Sequence, residues 1–112
     1  MNFIMIMYGI SNCDTVRRAK KFLSSHGVIY KFIDFRKNPI EEEVFEEIIA
    51  ITGLEKLINR RSSTYRNLKE PLKQQITSAL LLKNPTMIKR PVLVNRDNVL
   101  VGFSEEEYYN LV

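Results

Sequence analysis

Apolar residues fall in short runs divided by turn residues, and their spacing changes from run to run. Phe3 to Tyr8 is nearly all apolar, the pattern of a central strand covered on both faces. Gly9 permits a sharp exit, and Asn12 is the expected N-cap of a helix over Thr15 to Ser25. In that helix Val16, Ala19, Phe22 and Leu23 recur at helical spacing with the charges between them. His26-Gly27 is a stop signal, with the glycine at C′ and the imidazole near the last carbonyls. Val28 to Phe35 mixes β-branched and aromatic residues and predicts a second strand. The helix between is then a crossover, which makes the two strands parallel with a right-handed connection.

Asn38-Pro39-Ile40-Glu41 predicts the opening of another helix, with Ile40, Val44, Ile48 and Ile51 on its buried face and Gly53 closing it. Glu41, Glu42 and Glu43 suit its N-terminal end electrostatically. Leu54 to Ile58 reads as a helical turn, and Asn59 to Thr64 as a polar loop with two adjacent arginines. Pro71 to Lys83 predicts a further helix with Leu72, Ile76, Ala79 and Leu80 on one face, ended by Asn84-Pro85. Val92 to Val94 and Val99 to Val101 predict an antiparallel hairpin around Asn95-Arg96-Asp97-Asn98. Pro91 stands immediately before it, a strand-boundary position where proline is sometimes cis. Ser104 to Glu107 is a capping box for a last helix carrying Tyr108, Tyr109 and Leu111. The order β-α-β, helices, β-β-α predicts an α/β thioredoxin-like fold: a four-stranded mixed sheet with a helical insertion over about residues 39–85, in a single domain spanning 1–112. In that arrangement Pro91 lies beside the loop that carries Cys13.

Composition narrows the class. The 112 residues are 45% hydrophobic and 27% charged, ordinary values for a globular domain with a proper core. No apolar run approaches the roughly 18 residues that span a bilayer, and Phe3 to Tyr8 is too short for a signal-peptide core. A cytoplasmic protein with no membrane association is expected. The single cysteine forbids an internal disulfide and fits a reducing compartment. One Cys and one His do not supply the four ligands of a structural zinc site, so no metal is expected. The net charge is +4, with cations gathered at Arg17, Arg18, Lys20 and Lys21, at Arg60, Arg61 and Arg66, and at Lys89 and Arg90. These are solvated faces, or some of them converge on an oxyanion. There is no basic tail and no basic–aromatic stripe, so nucleic acid is not an expected partner.

Cys13 follows a strand and precedes a helix. Free backbone N–H groups and the positive end of a helix dipole stabilise an anion there and depress a thiol pKa. A lone cysteine is also commonly a small buried apolar residue, and local sequence leaves both readings open. His26 stands about 20 Å further along the helix, too far to act as a partner base.

Tyr8-Gly9-Ile10-Ser11-Asn12-Cys13-Asp14-Thr15 with Arg17, Arg18 and Ala19 resembles the opening of the arsenate reductase (ArsC) family, in particular its YffB-like branch. Asn59-Arg60-Arg61-Ser62-Ser63-Thr64-Tyr65-Arg66 resembles that branch's arginine loop, and Ile88-Lys89-Arg90-Pro91 with Val101-Gly102-Phe103-Ser104 resembles its hairpin. The resemblance implies a nucleophilic Cys13, a cis-proline at Pro91, and oxyanion binding by Arg61 and Arg90, with Asn12 orienting the loop or donating to the thiolate. It implies a glutathione-dependent thiol oxidoreductase with no bound cofactor. In the family the cysteine attacks arsenate, glutathione resolves the adduct, and glutaredoxin resolves the mixed disulfide. Glutathione is thus the implied co-substrate, glutaredoxin the further partner, and a small oxyanion or glutathione-linked compound the substrate of a monomer. The third family arginine has no counterpart in Gly102-Phe103-Ser104, a departure shared with the YffB-like branch. The tail from Val101 to Glu107 also resembles Spx-type regulators that contact RNA polymerase. Those usually carry a Cys-x-x-Cys switch, whose second position here is Val16.

Overall fold

A computed structural model describes residues 4–112. Four strands form one mixed sheet: β1 (Met5–Gly9), β2 (Tyr30–Asp34), β3 (Val92–Asn95) and β4 (Asn98–Val101), in the order β2-β1-β3-β4. β1 pairs in parallel with β2 and antiparallel with β3, and β3 forms the hairpin with β4. The fold is therefore the α/β thioredoxin-like arrangement. Phe3, expected at the head of β1, lies outside the described residues. β2 is shorter than the apolar run around it, because Val28 donates its N–H back to the Leu23 carbonyl and Ile29 stands in solvent.

Alternation along the two central strands divides the core between the faces of the sheet. Met7 and Leu93 join Val16, Ala19, Phe22 and Leu23 of α1 (Asp14–Ser25) and Tyr108 of the last helix. Tyr8 and Val92 join Phe45, Ile48, Leu57, Leu81, Met87 and Ile88 of the intervening segment. The four apolar positions that defined α1 in the sequence are all buried. Its end is as the sequence indicates. Gly27 takes φ +70°, and the His26 ring stacks on Phe22 with its Nδ1 2.8 Å from the Phe22 carbonyl oxygen.

The insertion departs from its expected boundaries. α2 runs Glu42–Thr52 with Glu41 at the N-cap, three residues later than Asn38 would place it. Lys37 and Asn38 donate instead to the Asp34 carbonyl and close a turn after β2. Ile40 and Ile48 are buried as expected, Phe45 joins them, and Ile51 is 50% exposed. A short α3 (Leu54–Leu57) and α4 (Ser63–Arg66) follow. The helix expected over 71–83 is two helices, α5 (Glu70–Lys73) and α6 (Ser78–Lys83). Thr77 breaks it by accepting a hydrogen bond from Leu80 N–H, so α6 starts afresh. Its buried anchor is Leu81, and Leu72 is 47% exposed. A 3-10 turn (Pro85–Met87) leads back to the sheet, and α7 (Glu105–Tyr109) closes the chain under the Ser104 cap. Among the described residues no helix is long and apolar enough to cross a membrane.

α1 meets β1 at a point with no room for a side chain. A Cβ on Gly9 would lie 2.9 Å from Val16 Cγ2 and 3.3 Å from Phe32 Cε1. Gly9→Ala is expected to destabilise the fold by about 1–3 kcal/mol through overpacking. Urea unfolding measures this, and an unchanged midpoint would show that Val16 can yield.

Candidate active site

Cys13, not Asn12, is the N-cap of α1; its backbone is extended, at φ −108° and ψ 127°, and its carbonyl accepts the first helical bond, from Arg17 N–H at 2.9 Å. Asn12 is displaced from that role because its Oδ1 accepts from Arg36 Nη2 at 3.2 Å. Cys13 is half-buried and packs against the cores on both sides of the sheet. Burial pushes the thiol up, but the backbone N–H groups of Val16 and Thr15 and the Arg90 guanidinium outweigh it, and the net shift is downward. The sulfur makes no capping hydrogen bond of strict geometry. These amides therefore act chiefly through their field, at the helix end where that field favours an anion. Asp14, the acid beside Cys13, is paired with Arg17.

Arg90 is held from the insertion side. Its Nη1 donates to the Thr86 carbonyl at 3.2 Å and less closely to that of Ile88 at 3.4 Å. Its Nε is buried without an acceptor among the described residues. The following Arg90–Pro91 peptide is cis, and the buried Pro91 accepts at its carbonyl from Gly102 N–H at 2.8 Å.

The arginine loop is fastened to this same segment. Asn59 N–H donates to Met87, and Lys89 N–H to Leu57, each at 2.7 Å, around the Ile58–Ile88 bridge. The Thr64 and Thr86 hydroxyls lie 3.1 Å apart. Arg61 is exposed, and its side chain makes no hydrogen bond or ion pair among the described residues. With Ile58, Asn59, Arg60 and Lys89 it lines a hollow of about 400 Å³ that Cys13 does not border. The structure thus brings Arg90 to Cys13, leaves Arg61 in a basic hollow that the thiol does not border, and turns Asn12 Oδ1 toward Arg36. Among the described residues no three metal-ligating side chains converge.

Residues 8–111 match the ArsC family. The chain belongs to it. A Haemophilus influenzae protein of uncharacterised role is 39% identical over 109 residues, covering 94% of this chain and 96% of that one. A solved structure named YFFB protein superposes with a TM-score of 0.86 at 36% identity, covering 95% of this chain and 96% of that one. The Listeria innocua global transcriptional regulator Spx is 28% identical over 109 residues, 93% of this chain and 83% of that one. A glutaredoxin from Archaeoglobus fulgidus, with a TM-score of 0.53 at 24% identity over 96% of this chain and 83% of that one, shares the fold alone.

One feature of this ArsC-family site was missed in the sequence. Asp34, only 6% exposed, accepts from Ser11 N–H (3.1 Å), Ser11 Oγ (2.8 Å) and Arg36 N–H (2.9 Å). An Asp after an apolar strand looks like a turn residue, and only the parallel pairing of β2 with β1 places it beside the thiol loop.

Two outcomes follow from these shifts. Arg90→Met is expected to move the pH midpoint of Cys13 alkylation upward, toward the ordinary thiol value of about 8.5, and an unmoved midpoint removes Arg90 from the thiol's surroundings. The carboxyl of Asp34 is lowered despite its burial, because the Ser11, Arg36 and Lys37 donors favour the charged form. Its contribution to stability is full above the unfolded aspartate value of about 3.9 and is lost as pH falls through the folded value. Urea midpoints taken toward acid should fall less steeply in Asp34→Asn than in the wild type.

Proposed function

We propose that the chain is a glutathione-dependent thiol oxidoreductase that works through a covalent adduct on Cys13. The observation that carries this is the convergence of the Arg90 guanidinium and the first amides of α1 on the one thiol. With a glutathione mixed disulfide, the Cys13 thiolate attacks the glutathione sulfur. The new Cys13–glutathione disulfide forms as the other thiolate leaves with the bonding pair. A second glutathione thiolate attacks that adduct, releases glutathione disulfide and returns Cys13 to the thiolate. With arsenate, Cys13 displaces an oxygen as water. Glutathione then attacks Cys13 Sγ, and the sulfur–arsenic pair stays on arsenic, which is reduced from the +5 to the +3 state. Glutaredoxin then takes over the mixed disulfide.

Arg90 offsets the negative charge that gathers as an anionic substrate nears the sulfur. Arg61 holds a carboxylate or oxyanion from its hollow, and the Asn12 amide NH2 donates to the bound anion. Pro91, joined to Arg90 by a cis peptide, leads into β3 beside the site. The protein works in the cytoplasm as a monomer, with glutathione and glutaredoxin as partners and no cofactor. Cys13→Ser should abolish turnover of glutathione mixed disulfides and of arsenate while the fold persists; a variant that still turns over refutes the role. Arg90→Ala should lower turnover by on the order of 10²-fold, the scale for losing one donor to developing charge.

A second reading has support in the Spx relatives. In it the same fold binds RNA polymerase without redox switching, because the position three after Cys13 is the fully buried Val16. Stoichiometric capture of polymerase by an inactive wild-type protein would favour that reading over the enzyme.

A further inference from the structure

We propose that Asp34 is a positioning residue for Cys13, acting through Ser11. The proposal rests on Cys13 being the reacting group. Three consecutive residues at the end of β2 grip the loop that ends at Cys13. Phe35 N–H donates to the Gly9 carbonyl at 3.0 Å and extends the parallel ladder one step past the strand. Asp34 accepts from both the backbone and the hydroxyl of Ser11. Arg36 Nη2 reaches over to the side-chain Oδ1 of Asn12. Cys13 is the first residue beyond this grip, and its extended backbone leads directly into α1.

The carboxylate is the centre of the grip because it accepts from the Ser11 amide, the Ser11 hydroxyl and the Arg36 amide together. A buried carboxylate has acceptor sites on both oxygens and no donor, and here the Ser11 and Arg36 donors converge on it. Charge-assisted bonds of this kind are roughly twice as strong as neutral ones. An asparagine of the same shape either turns its NH2 toward the Arg36 N–H and leaves that donor unpaired, or turns it toward Ser11 and leaves the Ser11 N–H unpaired, and in both cases the bonds that remain lose their charge assistance. The loop would then lose the register that holds the sulfur under Arg90 and against the Thr15 and Val16 amides. A merely structural carboxylate would stabilise the protein and leave the thiol of the folded molecule untouched. A carboxylate acting by its charge would do the opposite of a positioning one, since removing a nearby negative charge favours the thiolate.

The sign of one shift separates these cases. The rate of Cys13 alkylation by iodoacetamide is measured against pH in folded Asp34→Asn, Ser11→Ala and the double variant. Positioning predicts that the midpoint of Asp34→Asn rises toward the ordinary value of about 8.5. Ser11→Ala, which loses only the hydroxyl bond, rises by less, and the double variant rises no further than Asp34→Asn, because the two act along one path. A midpoint in Asp34→Asn that stays or falls overturns the proposal, and so do shifts that add in the double variant. If Asp34→Asn does not fold, Ser11→Ala decides alone, and an unmoved midpoint there overturns it. Alkylation needs no turnover, so failure of the oxidoreductase reading would be seen in the glutathione assays and failure of positioning in the midpoints.

Discussion

The close approach of α1 to β1 over Gly9 is the constraint on which the rest of the site depends. With no Cβ at Gly9, Val16 settles against the strand and brings the first turn of the helix down onto the sheet. That contact places the Thr15 and Val16 amides at the sulfur of the residue that caps the helix. The amides cost nothing in desolvated charge, because their dipoles belong to the helix in any case. Cys13 also contacts the apolar clusters of both layers, and because that burial opposes the thiolate, the anion site rests on the amides and on Arg90.

The second half of the site comes from far along the chain. β3 lies next to β1, so the residue just before β3 arrives beside the loop that follows β1. Arg90 occupies that place, and its guanidinium is oriented by carbonyls of the preceding turn rather than by a carboxylate. A carboxylate partner would have neutralised it. Carbonyls orient the group and leave its charge available to the thiol. The net +4 of the chain is thus less informative than where one cation is fastened.

Much of this was legible in the sequence. The run into Gly9, the spacing of Val16, Ala19, Phe22 and Leu23, the hairpin and the Ser104 cap are local signals, and local physics decided them. The parallel pair and the hairpin followed from those elements. The insertion was less legible because its helices are short, and short helices depend on tertiary contacts more than on periodicity. Phe45 and Leu81 became anchors where Ile51 and Leu72 had equal claims by spacing, and the Thr77 cap split a pattern that looked continuous. At the site, the sequence singled out Cys13 and Arg90, and the structure brings the two together. The neighbourhood of Asp34, Ser11 and Arg36 could not be read there, because each looks like an ordinary turn residue until two strands are laid side by side. The N-cap expected at Asn12 fell to Cys13 for the same reason, the Asn12 side chain being engaged by a residue 24 positions away.

The fastening of Arg90 couples the thiol to the helical insertion. The carbonyls that hold the guanidinium belong to Thr86 and Ile88, and the bonds joining 57–59 to 87–89 make that stretch one body with the arginine loop. Ionisation of Cys13 favours the arrangement in which Arg90 is in place, and that arrangement in turn favours ionisation. Such a coupling is reciprocal by thermodynamic necessity. The acidity of the sulfur therefore depends on the placement of a segment that is distant in sequence.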